Sequence, residues 1–315
     1  MTEPPRAPVV RSDYGLPYSK GLMAQSIMAT GLPPERSFVL AAEIERRLTG
    51  AGAAEVEVEH LREVAEEVLA AEENAHVVRR FGQWWRLRRL EQPLLVLIGG
   101  VTGVGKSTVA TQLAGRLGIT RVIATDQLRQ VVRAFFSQDF MPSVHHSSFD
   151  VASALRTYGD DASGTVAGFL RQAHDLAPGI DALVHRAVSE GTPIVLEGVH
   201  LLPEIPDPRL RERAVAVRVL LTATDERAHR AHFHARGMTT PRRPDRYLEA
   251  FDRIRVLQDY LVERAKREGI PIIDEAGIDP VVARVTEVVL EAVGAEAETG
   301  DVTTKVRGQS PKEVL

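Results

Sequence analysis

The chain has 315 residues, 44% of them apolar and 26% charged, with a net charge of −4 and a pI of about 6.2. These values are ordinary for a globular protein of one or two domains, and the acidic balance disfavours a nucleic-acid partner, since such binders are usually basic. Because there is no cysteine, disulfides, thiolate metal sites and cysteine nucleophiles are excluded. We see neither a signal segment nor an apolar run long enough to span a bilayer, so we expect a cytoplasmic protein without a membrane partner.

The N-terminal part of the chain has mostly helical patterns. One predicted helix has Ser19 as its N-cap and Gly31 as its stop, and the next begins with prolines and ends at Gly50, the usual asymmetry of a helix. Two further helical stretches follow. We therefore predict a small, mostly helical domain over residues 1–92.

From Leu94 onward, short apolar runs alternate with helical lengths. The runs cover residues 94–98, 121–126, 193–198, 216–222 and 270–274. Such runs are typical of parallel strands that helices cover on both faces. The sequence thus predicts an α/β domain over 93–293 with a three-layer parallel sheet. Residues 294–315 lack periodicity and are predicted to be a disordered tail.

A glycine-rich turn follows the first of these strands and matches the pattern G-x-x-x-x-G-K-[ST]. Its backbone N–H groups can turn inward around phosphate oxygens, and the helix behind it adds a positive N-terminal end. The lysine can reach the β- and γ-phosphates, and the serine hydroxyl can ligate Mg²⁺. We assign nucleotide binding to Gly100, Val101, Thr102, Gly103, Val104, Gly105, Lys106, Ser107 and Thr108.

Acidic residues stand at the ends of two other strands, where parallel sheets collect working side chains. Asp126 is either a helix N-cap or the group that handles an acceptor hydroxyl. Arg129, one turn later, can hold an anionic substrate. Glu197 can hold Mg²⁺ with Ser107 or orient a catalytic water, and the division of labour between the two acids stays open. His200 is more typical of a packed or surface histidine.

A basic segment over residues 229–261 predicts two helices joined by a hinge. This is typical of a lid that closes over phosphates and excludes water. Arg236 is the candidate for stabilising the transferring phosphoryl group, and Arg242 and Arg243 are candidates for binding the acceptor. For some of these arginines a solvated helix face is the alternative.

A polar loop over residues 137–155 is long for a compact domain, and such loops are often functional. Four of its side chains are candidate acceptor contacts: His145, His146, Ser147 and Ser148. A plain surface loop is the alternative. Together with the lid, these groups predict a small anionic substrate.

In this order, the motifs "GGVTGVGKST", "TDQLRQVVR", "HHSSF", "VLEGVHLLP" and "RPDRYLEAFDRIRVLQDYL" resemble the 2-phosphoglycerate kinase family over most of residues 94–293. The resemblance implies a P-loop NTPase fold like that of nucleoside and small-molecule kinases. It also implies ATP- and Mg²⁺-dependent phosphorylation of 2-phosphoglycerate to 2,3-bisphosphoglycerate, with Lys106 and the lid arginines stabilising the transferring group.

Residues 9–92 resemble an ATP-cone, a helical nucleotide-sensing module, and the segment "VVRSDYGLPYSKGLMAQSIMATG" carries the resemblance. If that module binds a nucleotide, Arg11, Ser12 and Lys20 are its candidate contacts. Two alternatives to the family's function stay open: a kinase of another hydroxyl acceptor, such as a polyol or nucleoside, and a nucleotide-sensing regulator without catalysis. The oligomeric state is not predicted.

Overall fold

The computed structural model describes residues 9–11, 16–50, 55–87, 90, 92–155, 161–239 and 245–307. The chain divides into two compact units, residues 1–90 with 290–315, and residues 91–289. The first division falls beside the predicted boundary at residue 92. Among the described helices, none combines the length and the apolar character that a membrane span requires.

In its described residues the first unit combines four complete helices with a small sheet, and it also includes the last part of a helix that begins in the second unit. Its elements are β1 (Val9–Arg11), β2 (Leu16–Pro17), α1 (Lys20–Met28), α2 (Pro34–Gly50), β3 (Glu55–Glu57), α3 (Val58–Glu72) and α4 (Ala75–Leu87). Strand β1 pairs antiparallel with β2 and parallel with β3. The predicted N-cap is confirmed, since the Ser19 side chain accepts a hydrogen bond from the backbone N–H of Leu22.

Apolar faces of these helices form one core, in which Ile27, Leu40, Ile44, Leu69 and Phe81 are almost fully buried. Three residues were predicted as nucleotide contacts in this unit: Arg11, Ser12 and Lys20. Lys20 forms an ion pair with Glu45, with 2.8 Å between nitrogen and oxygen. Ser12 and the Arg11 side chain lie outside the described residues.

The second unit is built on a parallel sheet with helices between its strands. Its elements are β4 (Leu94–Gly99), α5 (Lys106–Leu117), β5 (Val122–Ala124), α6 (Thr125–Phe135), α7 (Val151–Ala154), α8 (Ala162–Ser189), β6 (Ile194–Gly198), α9 (Pro208–Arg211), β7 (Val215–Leu221), α10 (Glu226–Thr239), α11 (Asp245–Glu249), α12 (Phe251–Arg267), β8 (Ile272–Ile273) and the first part of α13 (Ile278–Arg307). The residues of α13 from 290 onward belong to the first unit. A 3-10 turn, Pro142–His145, lies between α6 and α7.

The five strands lie in the order β5-β6-β4-β7-β8, and every neighbouring pair is parallel. Each predicted strand is therefore confirmed as an element. Strand β4 is central and buried along its whole length, as expected of a run covered on both faces. The carboxyl ends of β4, β5 and β6 lie side by side, so the residues that follow them are brought together.

Two boundaries differ from the sequence predictions. Strand β5 ends at Ala124, which is the N-cap of α6, so Asp126 lies in the first helical turn; its interpretation as the N-cap is wrong. Helix α13 continues to Arg307, where we predicted a disordered tail from residue 294. Residues 295–298 alternate alanine and glutamate, which have high helix propensity. This propensity does not depend on a periodic pattern of apolar residues.

Candidate active site

The glycine-rich turn between β4 and α5 has the backbone form that a phosphate cradle needs. Gly100 and Gly103 have φ angles of +143° and +90°, which residues other than glycine rarely adopt. A Cβ on Gly100 would lie 2.5 Å from the carbonyl oxygen of Leu221, and one on Gly103 would lie 2.7 Å from the ring of Phe233. Glycine is thus required at both positions by conformation and by space.

The lysine of this turn contacts its own loop, and the serine contacts the neighbouring strand β6. Lys106 donates from Nζ to the carbonyl of Val101 at 2.7 Å. Ser107 Oγ donates to Glu197 Oε1 at 2.7 Å, and Glu197 is only 5% exposed. Hydroxyl and carboxylate oxygens are ligands that Mg²⁺ prefers, and a nucleotide-bound Mg²⁺ needs only one or two protein ligands. The predicted pair Ser107 and Glu197 is therefore brought together and suits this cation.

No group of three or more His, Asp or Glu side chains within the described ranges could form a cage for a metal ion made by protein alone.

Asp126 projects its carboxyl from the start of α6, on the strand end next to Glu197. Partial desolvation opposes ionisation, but nearby positive charges, among them Arg129 and Lys106, outweigh it and lower the pKa of Asp126 below its usual value. The side chain is itself 64% exposed. An ionised, accessible carboxylate beside the phosphate cradle can accept a proton from a hydroxyl.

Arg129 is used differently from the prediction. Its Nη1 donates to the carbonyls of Val144 and His146, both at 3.0 Å, and its Nε lies 3.4 Å from Asp126 Oδ1. The side chain is only 11% exposed. In the structure Arg129 therefore braces the loop after α6, and its contact with a substrate stays a prediction.

The predicted acceptor loop is tied to its surroundings by several contacts. His145 Nε2 lies 2.8 Å from the carbonyl of Phe136, so that nitrogen carries the proton. Desolvation lowers the pKa of His146, and Ser147 Oγ accepts from Arg246 at 2.9 Å. Ser148 is partly buried.

Helices α11 and α12 reach this loop through an ion-pair network that the sequence did not predict. Arg246 and Arg253 both contact Asp150, at 3.0 and 2.9 Å. Arg253 lies inside the motif "RPDRYLEAFDRIRVLQDYL", but the sequence does not distinguish it from the other arginines of that motif. Residues 242 and 243 and the side chain of Arg236 lie outside the described residues, so these three predicted contacts stay predictions.

Two histidines of α10 bind the backbone of the phosphate cradle. His229 Nε2 lies 2.9 Å from the carbonyl of Thr102, and His232 Nδ1 lies 3.0 Å from that of Gly103. Since a carbonyl only accepts, both ring nitrogens carry protons. Burial lowers the pKa of His229, which favours the neutral ring. The i,i+3 spacing of these histidines was the available signal, because it places both on one helix face.

Similar solved structures include a gluconokinase from Sinorhizobium meliloti 1021, with 19% identity, a TM-score of 0.38 and coverage of 68% of this chain and 99% of that one. A shikimate kinase from Acinetobacter baumannii has 15% identity, a TM-score of 0.37 and coverage of 64% and 94%. At these TM-scores the likeness supports no conclusion, and the fold rests on the sheet order given above.

No family model matches the chain, but the sequence relatives are much closer. The 2-phosphoglycerate kinase of Methanococcus maripaludis (strain C6) is 33% identical over 287 residues, which cover 90% of this chain and 91% of the relative. Those of Methanopyrus kandleri and Pyrococcus horikoshii are 34% and 33% identical, over 86% and 88% of this chain and 83% and 90% of their own. With this identity along nearly the whole length, the chain belongs to the 2-phosphoglycerate kinase family.

Proposed function

We propose that this protein transfers the γ-phosphoryl group of ATP to the free hydroxyl of 2-phosphoglycerate, giving 2,3-bisphosphoglycerate and ADP. The observation that carries the proposal is the meeting of three groups at adjacent strand ends. These are the phosphate cradle after β4, the Ser107–Glu197 pair that joins the start of α5 to β6, and the ionised Asp126 after β5. Family membership supports the choice of acceptor.

On the nucleotide side, the N–H groups of the cradle and the ammonium group of Lys106 would hold the phosphates. Ser107 and Glu197 would hold Mg²⁺. When bound, that cation neutralises charge on the phosphate oxygens. Lys106 now donates to a carbonyl of its own loop, so phosphate binding would exchange that bond for one to a phosphate oxygen.

On the acceptor side, Asp126 would accept the proton of the acceptor hydroxyl. The hydroxyl oxygen would form a bond to the γ-phosphorus while the bond from that phosphorus to ADP breaks. This is the positioning and charge compensation that phosphoryl transfer needs. The acceptor's own phosphate and carboxylate require cations. Arg246 and Arg253, each about half exposed at the loop, join the predicted Arg242 and Arg243 as candidates.

The test is ATP turnover with Mg²⁺ across 2-phosphoglycerate, 3-phosphoglycerate, glycerate and polyols, with the products identified by mass. We expect a doubly phosphorylated glycerate from 2-phosphoglycerate. The variant Lys106→Ala should lose at least about a hundredfold in kcat, the effect of removing one strong transition-state contact. Lys266→Ala removes an exposed lysine of α12 and is the matched control.

Three outcomes would contradict the proposal or a part of it. Phosphorylation of another acceptor alone would retain the cradle and reject the substrate. ATP binding without phosphorylation of any acceptor would favour the nucleotide-sensing regulator. Full activity of Lys106→Ala would reject the assigned role of the cradle lysine.

A further inference from the structure

A buried chain of hydrogen bonds connects the start of α6 with α8 through His200. Thr125 Oγ1 lies 2.8 Å from His200 Nδ1, and His200 Nε2 lies 2.9 Å from Gln172 Oε1. All three residues are buried, and His200 and Gln172 are completely inaccessible. The His200 ring also packs against Phe169, with 6.3 Å between ring centroids.

The direction of the hydrogen bonds in this chain is fixed by its far end. The amide nitrogen of Gln172 donates to the carbonyls of Ser143 and His146. Its amide oxygen must therefore face His200, so His200 carries its proton on Nε2 and accepts at Nδ1 from the Thr125 hydroxyl. Each side-chain donor and acceptor along the path from Thr125 to Gln172 thus has a partner, the condition under which a buried polar network orders its surroundings.

This chain of hydrogen bonds joins three parts of the proposed site. Thr125 precedes the proposed proton acceptor Asp126, and His200 lies two residues after β6, the strand that contains Glu197. Gln172 holds the 3-10 turn of the acceptor loop, which Arg129 also holds. Close packing supports this connection, because a Cβ on Gly198 would lie 1.7 Å from Thr125 Oγ1. Glycine at 198 lets strand β6 approach Thr125.

We propose that His200 is a positioning residue, which sets Asp126 and the acceptor loop at a fixed place relative to Glu197 through Thr125 and Gln172. It touches neither substrate nor cation and acts through its two hydrogen bonds. This role rests on the proposed function, since it concerns the acceptor half of that reaction. The nucleotide half is held separately by the cradle, His229 and His232.

The test compares Thr125→Val, which removes the hydroxyl with little change of shape, with Thr125→Ser, which keeps it. For Thr125→Val we expect kcat to fall about tenfold or more and the KM for 2-phosphoglycerate to rise, with the KM for ATP within about twofold of wild type. Thr125→Ser should keep most of the activity. Equal kinetics of the two variants, or equal effects on both KM values, would overturn the proposal.

A double-mutant cycle separates a connected chain from independent packing effects. Gln172→Leu removes the other hydrogen bond of His200. If Thr125 and Gln172 both act through the His200 ring, the second substitution should cause little further loss. The fold decrease in kcat of the double variant should then be much smaller than the product of the two single decreases. Multiplicative effects would contradict the proposal.

A readout without catalysis covers the case in which a variant fails to fold. In wild-type protein labelled with ¹⁵N-histidine, the His200 ring should show the tautomer protonated at Nε2, and its signals are identified by their loss in His200→Gln. A ring protonated at Nδ1 instead would contradict this chain of hydrogen bonds. If the wild type phosphorylates a different acceptor, the proposed substrate fails, while the Thr125 comparison on that acceptor still decides the role of His200.

Discussion

The burial of His200 predicts a specific loss of stability in mild acid. Burial is the main cause that lowers the pKa of this ring to about 4; Asp126 opposes the shift, and Arg129 and Lys106 add to it. An unfolded chain binds the proton at about pH 6.5. As pH falls through this window the unfolded state is protonated first, so the folded state loses stability. Two pKa values of 6.5 and about 4 give a loss of about 2 kcal/mol between pH 7 and pH 5.

Urea unfolding at pH 7, 6 and 5 measures this loss. Both tryptophans, Trp84 and Trp85, lie in the N-terminal unit, so tryptophan fluorescence would report on that unit. Unfolding of the unit that contains His200 should therefore be followed by far-UV circular dichroism. His200→Gln removes the titrating ring, and its free energy of unfolding should depend less on pH than that of wild type by about 2 kcal/mol over this range. His185→Gln, at an exposed histidine, should follow the wild type. Parallel pH curves for wild type and His200→Gln would refute the reasoning.

Three further substitutions test contacts that hold the site. Gly103→Ala places a methyl group against Phe233 at a positive φ, and the KM for ATP should rise about tenfold, equivalent to about 1.4 kcal/mol; an unchanged KM would contradict the steric argument. Gly198→Ala would push Thr125 away, so kcat should fall while a binding titration shows ATP affinity retained. Asp150→Asn weakens two arginine contacts, and the KM for 2-phosphoglycerate should change more than that for ATP, as steady-state kinetics would show.

The glycine-rich turn and the sheet could be predicted because their causes are local. Glycine spacing, a lysine and a serine specify the turn between a strand and a helix, and buried parallel strands have uniformly apolar sequences. Glu197 was predicted beside the cradle because parallel strands place their carboxyl ends at one edge. The contact between Ser107 and Glu197 follows from that rule, although 90 residues separate them.

The roles of Arg129 and Arg253 depend on tertiary contacts that no local pattern encodes. An arginine after a strand end suits an anionic ligand as well as it suits backbone carbonyls, and only the path of the loop decides between them. In the structure the carbonyls of Val144 and His146 face Arg129. Arg253 lies within an ordinary amphipathic helix and becomes significant only because Asp150 faces it.

Two buried histidines show why a packed residue and a functional residue are not alternatives in this protein. His200 and His229 are both inaccessible, and burial lowers the pKa of each, so each ring offers one donor in a fixed direction without a positive charge. A lysine or arginine in either place would bring a second buried cation close to Lys106 and carry the cost of desolvating it. A neutral imidazole can therefore orient the cradle carbonyl of Thr102 or the amide of Gln172 and leave the positive charge of the site to the groups that face phosphate.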